Sequence, residues 1–341
     1  MVAADSTGTF MYRESHRILR QTVIFAATTM LAAYGHAQSV VNLLVENDVF
    51  AGTDRNYTSG VMLNWVSGID EGPKRLRDLG IALPGIERDD HMHVALSLGH
   101  EIYTPTDIAA TELLEDDRPY AGHLYVAAGF TVQNPDEIET LRLSLGIVGP
   151  GARAETIQNN LHRKIGVDEA LGWDNQLKNE PVLSLAYEKK WLSLARSKVW
   201  DNSLELDLLP HMSASVGTPL TYAGGGGMIR FGQGLEHDYG PPRVRPSLPV
   251  SQYFQSKKGL SWYFFVGVDV RFIAHNLFLD GNNFRDSHSV DREDFVADLQ
   301  SGFVWNNSRW RLAYSMIYRT REFRDQEERD LFGSLAMSVH F

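Results

Sequence analysis

The sequence predicts an all-β protein, a closed antiparallel transmembrane β-barrel of about 12 strands with a short helix in an extracellular loop. Three observations support this class. Apolar residues alternate with polar or small residues over long runs, the chain ends in a similar run whose last residue is Phe341, and no apolar run after residue 37 is long enough to form a spanning helix. An even number of strands lets such a barrel close without an unpaired edge in lipid.

Alternation with a period of two identifies the individual strands. From Trp310 to Tyr318 every second residue is apolar, and Arg311 and Ser315 lie on the other face. One apolar face per strand indicates packing against lipid or against a second sheet, so a periplasmic β-sandwich is the alternative. Long strands with aromatic residues near their ends favour lipid. The predicted strands span residues 39–47, 57–67, 92–103, 121–133, 138–149, 182–195, 202–214, 219–232, 260–273, 291–305, 308–321 and 330–341.

The connections between these strands differ in length. Tight turns such as Asn306-Asn307 contrast with long segments at 68–91, 104–120, 150–181, 233–259 and 274–290. Because barrels of this class have tight turns on one side and long loops on the other, we expect the long segments on the outer side.

The first 37 residues are typical of an export signal. Arg13, Arg17 and Arg20 form a basic region, residues 22–34 form a short apolar stretch, and Gly35-His36-Ala37 offers small residues beside a cleavage site. We therefore expect a signal peptide at 1–37 and an outer-membrane barrel at 38–341.

Charge and cysteine content exclude several functions. The chain has 32 Lys and Arg residues against 43 Asp and Glu residues, a formal net charge of -11, which argues against nucleic acid as a partner. It has no cysteine, and hence no disulfide, thiol nucleophile or thiolate metal site. A metal ion would have to be bound by oxygen and imidazole ligands.

One helix is predicted from Ala154 to Ile165, ending at Gly166. Its apolar stripe of Ile157, Leu161 and Ile165 should cover the barrel mouth, and Gln158 and His162 lie one turn apart on a neighbouring face. His162 could be a catalytic base or a solvated helix residue. Asp168, shortly after the helix, could orient the imidazole.

Two other clusters could carry chemistry. Residues 46–50 (ENDVF) and 53–60 (TDRNYTSG) present carboxylate, amide and hydroxyl oxygens at two strand ends, a set that suits a hard cation such as Ca²⁺ but that also occurs in ordinary turns. Residues 115–122 (EDDRPYAG) could form an Arg–carboxylate clamp or a solvated loop.

Three separated stretches, ENDVFAGTDRNYTSG at 46–60, DDRPYAG at 116–122 and VGPGARAETIQNNLHRKIG at 148–166, resemble the outer-membrane lipid A 3'-O-deacylases (LpxR). With the export signal and the terminal strand, the resemblance covers essentially the whole mature chain. It implies a hydrolase in the bacterial outer membrane that removes the 3'-acyloxyacyl chain of lipid A in the outer leaflet with the help of Ca²⁺. Asp168 stands where we would expect Glu in the family, and Val49 where some relatives have a second Asp.

The functional positions implied by the resemblance are Asn47, Asp48, Thr58, Gln158 and His162. In the water mechanism that we favour, His162 activates water, a carbonyl or Asp168 fixes its tautomer, and Ca²⁺ held by Asp48, Asn47 and Thr58 stabilises the oxyanion. The competing mechanism uses Thr58 or Ser59 as a covalent nucleophile. The expected partners are lipid A or lipopolysaccharide as substrate and outer-membrane lipid, and the expected state is a monomer.

The alternative function is a non-enzymatic barrel, either a narrow pore or a structural or adhesive protein. Strand parity also raises a question about the site. If Val41, Leu43 and Val45 face lipid, strict alternation turns Asn47 outward as well, whereas Asp48 points inward. A β-bulge or the end of the strand could reconcile these directions.

Overall fold

The computed structural model describes residues 39–48, 56–81, 91–192, 194–199, 204–241 and 259–341, without the side chains of 56–58, 79–81 and 237. The predicted signal peptide and residues 49–55 of the oxygen-rich connection lie outside the described residues. In this part of the chain, no helix is long and apolar enough to cross a membrane.

Thirteen strands and three α-helices are described. The helices are α1 (Lys74–Ile81), α2 (Ala154–Ile165) and α3 (Leu277–Asp280). The strands are β1 (Val40–Asn47), β2 (Asn56–Val66), β3 (His91–Thr104), β4 (Ala121–Gln133), β5 (Glu137–Val148), β6 (Glu180–Trp191), β7 (Ala195–Val199), β8 (Leu204–Gly217), β9 (Leu220–Gln233), β10 (Ser261–Asn276), β11 (Phe295–Asn306), β12 (Trp310–Arg319) and β13 (Asp330–His340).

The sheet closes on itself as a twelve-stranded antiparallel barrel. Each strand pairs with its sequence neighbour, β1 closes the barrel against β13, and β6 pairs with β8. The additional strand β7 pairs only with the first half of β8. The predicted fold class is therefore confirmed. β7 was not predicted, because its five residues show no apolar alternation.

Side chains alternate across the barrel wall in the predicted sense. On β12, Leu312 and Tyr314 are exposed on the outer face, whereas Arg311 and Ser315 are buried inside. An apolar outer surface around a polar interior is the reverse of a water-soluble barrel and is typical of a barrel in lipid.

The two ends of the barrel carry different structures. We call the end that carries α2, between β5 and β6, the helix rim, and the end where Phe341 N–H donates to the carbonyl of Ser39 (3.0 Å) the terminal rim. The connections β2–β3 and β9–β10, which contain the long segments 68–91 and 233–259, begin and end at the terminal rim. The prediction that all long segments lie on one side is therefore wrong.

The interior of the terminal half is filled by apolar side chains and paired charges. Leu44, Met62 and Phe265 belong to one buried cluster inside the wall. The fully buried Arg230 donates from Nε and Nη2 to the two carboxylate oxygens of Asp207 at 2.9 and 2.6 Å. A bidentate pair of this kind best offsets the free-energy cost of removing a guanidinium group from water.

Asp238, in the β9–β10 connection, joins this interior network. Burial alone would raise the pKa of its carboxyl, but the guanidinium groups of Arg311 and Arg230 hold that pKa below its ordinary value. The Arg311 Nε lies 2.6 Å from one carboxylate oxygen, and the Tyr263 hydroxyl donates to the other at 2.7 Å. Ion pairs and hydrogen bonds thus hold the β9–β10 connection against the wall inside the terminal half.

The helix rim is closed by α3. Its residues Leu277 and Phe278 are buried in a cluster with inward-facing side chains of the wall, and the Phe278 ring stacks on Tyr103 with 4.3 Å between ring centroids. The segment is held by Asn276, whose side chain accepts from the Phe278 N–H at 3.1 Å and caps the helix. α3 therefore packs inside the mouth of the barrel.

Helix α2 lies elsewhere, against the outer face of β3 and β4. Its first residue, Ala154, packs with the outward-facing Ile102 of β3. Gly122 of β4 lies beneath Ala154 on the same outer face. A Cβ added at Gly122 would lie 2.5 Å from the Cβ of Ala154 and 3.2 Å from that of Ala152. Only glycine at this position lets the helix approach the wall so closely.

The bounds predicted for α2 are confirmed, but its expected orientation is wrong. The structure buries Ala154, Gln158 and His162, whereas Ile157, Leu161 and Ile165 of the apolar stripe are 48%, 49% and 56% exposed. The expectation that an apolar stripe turns toward the protein applies to helices in water, and this one lies on the outer surface of a barrel.

We expect Arg230→Ala to lower the free energy of unfolding by about 3–5 kcal/mol, because it leaves the Asp207 carboxylate buried without its bidentate partner. Chemical unfolding in detergent, followed by tryptophan fluorescence, measures the change. Arg309→Ala, in an exposed turn, is the control and should change stability by less than about 0.5 kcal/mol. Equal stability of the two variants would contradict the importance of the pair.

We expect Gly122→Ala to displace α2 from the wall and to accelerate tryptic cleavage after Arg163 and Lys164 several-fold. Gly227→Ala on β9 is the control, because its added Cβ would meet nothing closer than 3.7 Å. The measurement is limited proteolysis of the folded protein with mass identification of the fragments. Unchanged cleavage of both variants would show that α2 does not depend on the glycine.

Candidate active site

The buried side of α2 carries polar side chains. Gln158 is 3% exposed and His162 is 6% exposed, although both lie on a helix at the surface of the barrel. Amide and imidazole groups are costly to bury without hydrogen-bond partners, so their partners indicate how this side is organised.

A returning segment, residues 168–173, runs back along α2 and supplies those partners. Asn159 donates to the carbonyl of Ala170 at 3.0 Å and accepts from its N–H at 2.9 Å. This amide clamp fixes the segment beside Gln158 and His162. The sequence alone did not reveal it, since an Asn in a helix gives no pattern that points to a residue eleven positions away.

His162 is oriented by a backbone carbonyl. Its Nδ1 lies 2.5 Å from the carbonyl oxygen of Asp168, and because a carbonyl can only accept, Nδ1 carries the hydrogen. In the neutral ring Nε2 is then the free base. The Asp168 side chain itself is exposed, so its main chain provides the orienting contact.

Gln158 is oriented by Trp173, a residue that sequence reasoning missed. The Trp173 indole N–H donates to Gln158 Oε1 at 3.0 Å, which turns the amide nitrogen the other way. That Nε2 is buried and has no hydrogen-bond partner among the described residues. Trp173 is itself buried against Tyr120, with 4.8 Å between ring centroids. The site thus holds one oriented base and one oriented N–H donor.

Asn47, Asp48 and Thr58 lie at the helix rim: Thr58 is on β2, which neighbours β3, and Asn47 and Asp48 are at the end of β1, one strand further from α2. Asn47 is the last residue of β1 and pairs with Ser59 of β2, which in turn pairs with Ile102 of β3. Asp48 is buried, with 2% exposure. All the predicted site residues are therefore at one end of the barrel. β3 lies between the strands that carry Asn47 and Thr58 and the helix that carries Gln158 and His162.

Asn47 lies on the outer face of the barrel wall. Asn47 follows the alternation of β1 without a register shift, on the face opposite the buried Glu46. The shift lies in β2, between Tyr57 and Ser59, so Thr58 is the extra residue of a bulge. Because α2 covers the outer face two strands away, an outward Asn47 is on the same side of the wall as His162.

Residues 115–122 contain both an Arg–carboxylate clamp and solvated side chains, the two alternatives predicted for this cluster. Arg118 is buried inside the barrel, and its Nη1 donates to Glu322 at 3.1 Å. Arg118 and Arg319 hold the pKa of the Glu322 carboxyl below its ordinary value, against the effect of burial. Glu115 and Asp116 remain exposed. The clamp is real, but its carboxylate comes from a distant part of the chain.

The donor set of the first cluster suits a hard cation in kind. Asn47, Asp48 and Thr58 offer amide, carboxylate and hydroxyl oxygens, which are the ligand types that Ca²⁺ prefers. Within the described ranges, no group of three or more His, Asp or Glu side chains could hold a metal ion. A cation here would therefore depend on a single carboxylate from these three residues, with neutral oxygens completing its shell.

Two solved structures illustrate the likeness of the fold. LpxR from Salmonella typhimurium is similar with a TM-score of 0.69 and 19% sequence identity, covering 89% of this chain and 100% of its own. The β domain of the Bordetella autotransporter BrkA has a TM-score of 0.43 and 10% identity, covering 89% of this chain and 98% of its own. No curated protein sequence matches the chain.

The family comparison covers almost the entire chain. The model described as outer membrane protein LpxR matches residues 20–341. Together with the closed barrel and its apolar outer face, this match establishes that the protein is located in the bacterial outer membrane. The chain belongs to the LpxR family of outer-membrane proteins.

Proposed function

We propose that this protein is a lipid A 3'-O-deacylase, a carboxylic ester hydrolase that removes the 3'-acyloxyacyl chain in the outer leaflet. The observation that carries the proposal is the buried pair of Gln158 and His162, held by a helix on the outer face of the barrel. A structural helix would gain more from burying its apolar stripe there. Family membership supports the same substrate class.

His162 acts as the general base in this mechanism. Its Nε2 removes a proton from water as the water oxygen attacks the ester carbonyl, and the same proton then passes to the alkoxide that leaves. The carbonyl of Asp168 keeps Nδ1 protonated and stabilises the imidazolium that forms between the two steps. One base thus performs both proton transfers, and its tautomer is set before the substrate binds.

Gln158 stabilises the charge that develops on the ester oxygen. Its buried Nε2 donor finds a partner in the oxyanion, and Trp173 keeps it pointing toward that position through the hydrogen bond to Oε1. A donor that is already desolvated and oriented needs no reorganisation during the reaction. Trp173 is therefore a positioning residue for the oxyanion donor.

Ca²⁺ is the expected cofactor, and Asp48, Asn47 and Thr58 would hold it. When bound, it would supply a positive charge to polarise the ester and to attract the phosphates of lipid A toward an acidic protein. The competing covalent mechanism assigns the nucleophile to Thr58 or Ser59. An acyl-enzyme detected by mass spectrometry would support the covalent mechanism.

The alternative of a passive pore is disfavoured by the barrel interior. At the helix rim, Leu277 and Phe278 pack inside the mouth, and in the terminal half the buried Arg230 and Arg311 pair with the buried carboxylates of Asp207 and Asp238. A conducting barrel needs a hydrated path along its axis. A structural or adhesive role remains the second candidate, and the buried Gln158–His162 pair argues against it.

We expect the purified protein to release the 3'-acyloxyacyl group from lipid A in the presence of Ca²⁺, measured by mass spectrometry. His162→Ala should reduce the rate by about 10²–10⁴-fold, and removal of Ca²⁺ with a chelator should abolish it. His91→Ala, an exposed residue at the terminal rim, is the control and should retain the wild-type rate. Unchanged lipid A with the wild-type protein and with both variants would refute the proposal, and a steady ion current across planar bilayers in addition would support a pore.

We expect Asp168→Asn to deacylate lipid A at nearly the wild-type rate, because the contact to His162 uses the backbone carbonyl and the side chain is exposed. The pH dependence of the rate should also be unchanged. Initial rates across the pH range, with His162→Ala as reference, provide the measurement. A loss comparable to that of His162→Ala would mean that the carboxylate itself orients the base.

A further inference from the structure

We propose that one side of α2 is inserted among the acyl chains of the outer leaflet. We call this side the apolar flank and define it as Ile157, Leu161 and Ile165, which follow one another at four-residue spacing along the helix. The proposal rests on the outer-membrane location of the barrel and is independent of the proposed reaction.

The apolar flank is exposed along its whole length. Ile157, Leu161 and Ile165 are 48%, 49% and 56% exposed. A contiguous set of large apolar side chains on a protein surface marks a contact with another apolar phase. No described part of the chain covers this flank.

The position of α2 brings this flank to the level of lipid. The helix rests on the outer face of the wall at Gly122, and the turn before it passes over Ile147 of β5, whose Cδ1 would lie 2.7 Å from a Cβ added at Gly151. On the same outer face of β5, Leu143 and Leu145 are 51% and 59% exposed. The lipid-facing surface of the barrel therefore continues directly into the start of α2.

The rest of the helix surface is polar, as expected for a helix lying in an interface. At about 100° per residue, Thr156, Asn160 and Arg163 occupy the side opposite Gln158. Arg163 pairs with Glu169 at 2.6 Å, with both side chains exposed. With the wall on one side, apolar residues on the flank and polar residues facing away, α2 matches a helix at the boundary between acyl chains and head groups.

Site-specific fluorescence tests the proposal, since the chain has no cysteine and each variant carries a single label. Leu161→Cys is labelled with an NBD fluorophore and reconstituted into phosphatidylcholine vesicles that contain lipids with doxyl groups on the acyl chains. Thr156→Cys, exposed on the polar side of the same helix, is the matched control. Heat-dependent migration on gels verifies that each labelled barrel is folded, and Ile157→Cys replaces Leu161→Cys if that variant does not fold.

We expect the label at Leu161 to be quenched by acyl-chain doxyl groups and protected from aqueous iodide, and the label at Thr156 to show the reverse. Equal quenching of both labels by iodide would overturn the proposal, because the flank would then lie in water. Protection of the Leu161 label from both quenchers would also overturn it and would indicate a second protein copy on the flank. Neither outcome depends on enzymatic activity, so the proposed function is tested separately.

Discussion

The close approach of α2 to the barrel wall at Gly122 is the constraint on which the rest of the structure depends. An added Cβ there would lie 2.5 Å from Ala154, so a larger residue would separate helix and wall. Because the two surfaces meet at this point, the next turns of the helix hold Gln158 and His162 largely buried, at 3% and 6% exposure. Burial in turn makes their few hydrogen bonds strong and directional. A glycine and an alanine, neither with chemistry of its own, thus create the conditions for the polar pair.

The returning segment 168–173 explains how these buried groups are tolerated. A buried polar group without a partner costs about 1–3 kcal/mol, and the segment supplies a carbonyl for His162 and an indole N–H for Gln158. The Gln158 Nε2 is buried and has no hydrogen-bond partner among the described residues. Such a cost is expected where a fold has been adapted to bind something, because the missing hydrogen bond is then made by the ligand.

The barrel could be predicted from sequence because period-two alternation reports directly on which side of a strand is apolar. The twelve strands of the wall and the bounds of α2 follow from such local patterns. The direction in which α2 faces could not be predicted, because hydrophobic periodicity identifies an apolar stripe and does not say whether protein or lipid covers it. The alternation of β1 correctly predicted that Asn47 faces outward. It could not predict that the outer face of the wall carries a candidate site, because that depends on where α2 lies. Trp173 was missed because its role depends on a contact fifteen residues back along the chain.

The filled interior and the position of α2 together determine how a substrate can approach. Phe278 and Tyr103 stack inside the helix rim, and buried ion pairs occupy the terminal half, so side chains of the described residues obstruct the interior at both ends of the barrel. The pair lies between helix and wall on the outer surface, which faces the bilayer. On the proposed function, lipid A keeps its acyl chains in the leaflet and brings only the ester linkage to the base. The reaction then needs no extraction of the lipid into water, which would cost about 0.8 kcal/mol for every methylene exposed. On this proposal, the closed barrel is a scaffold that holds one helix beside the ester bond of a lipid in the leaflet.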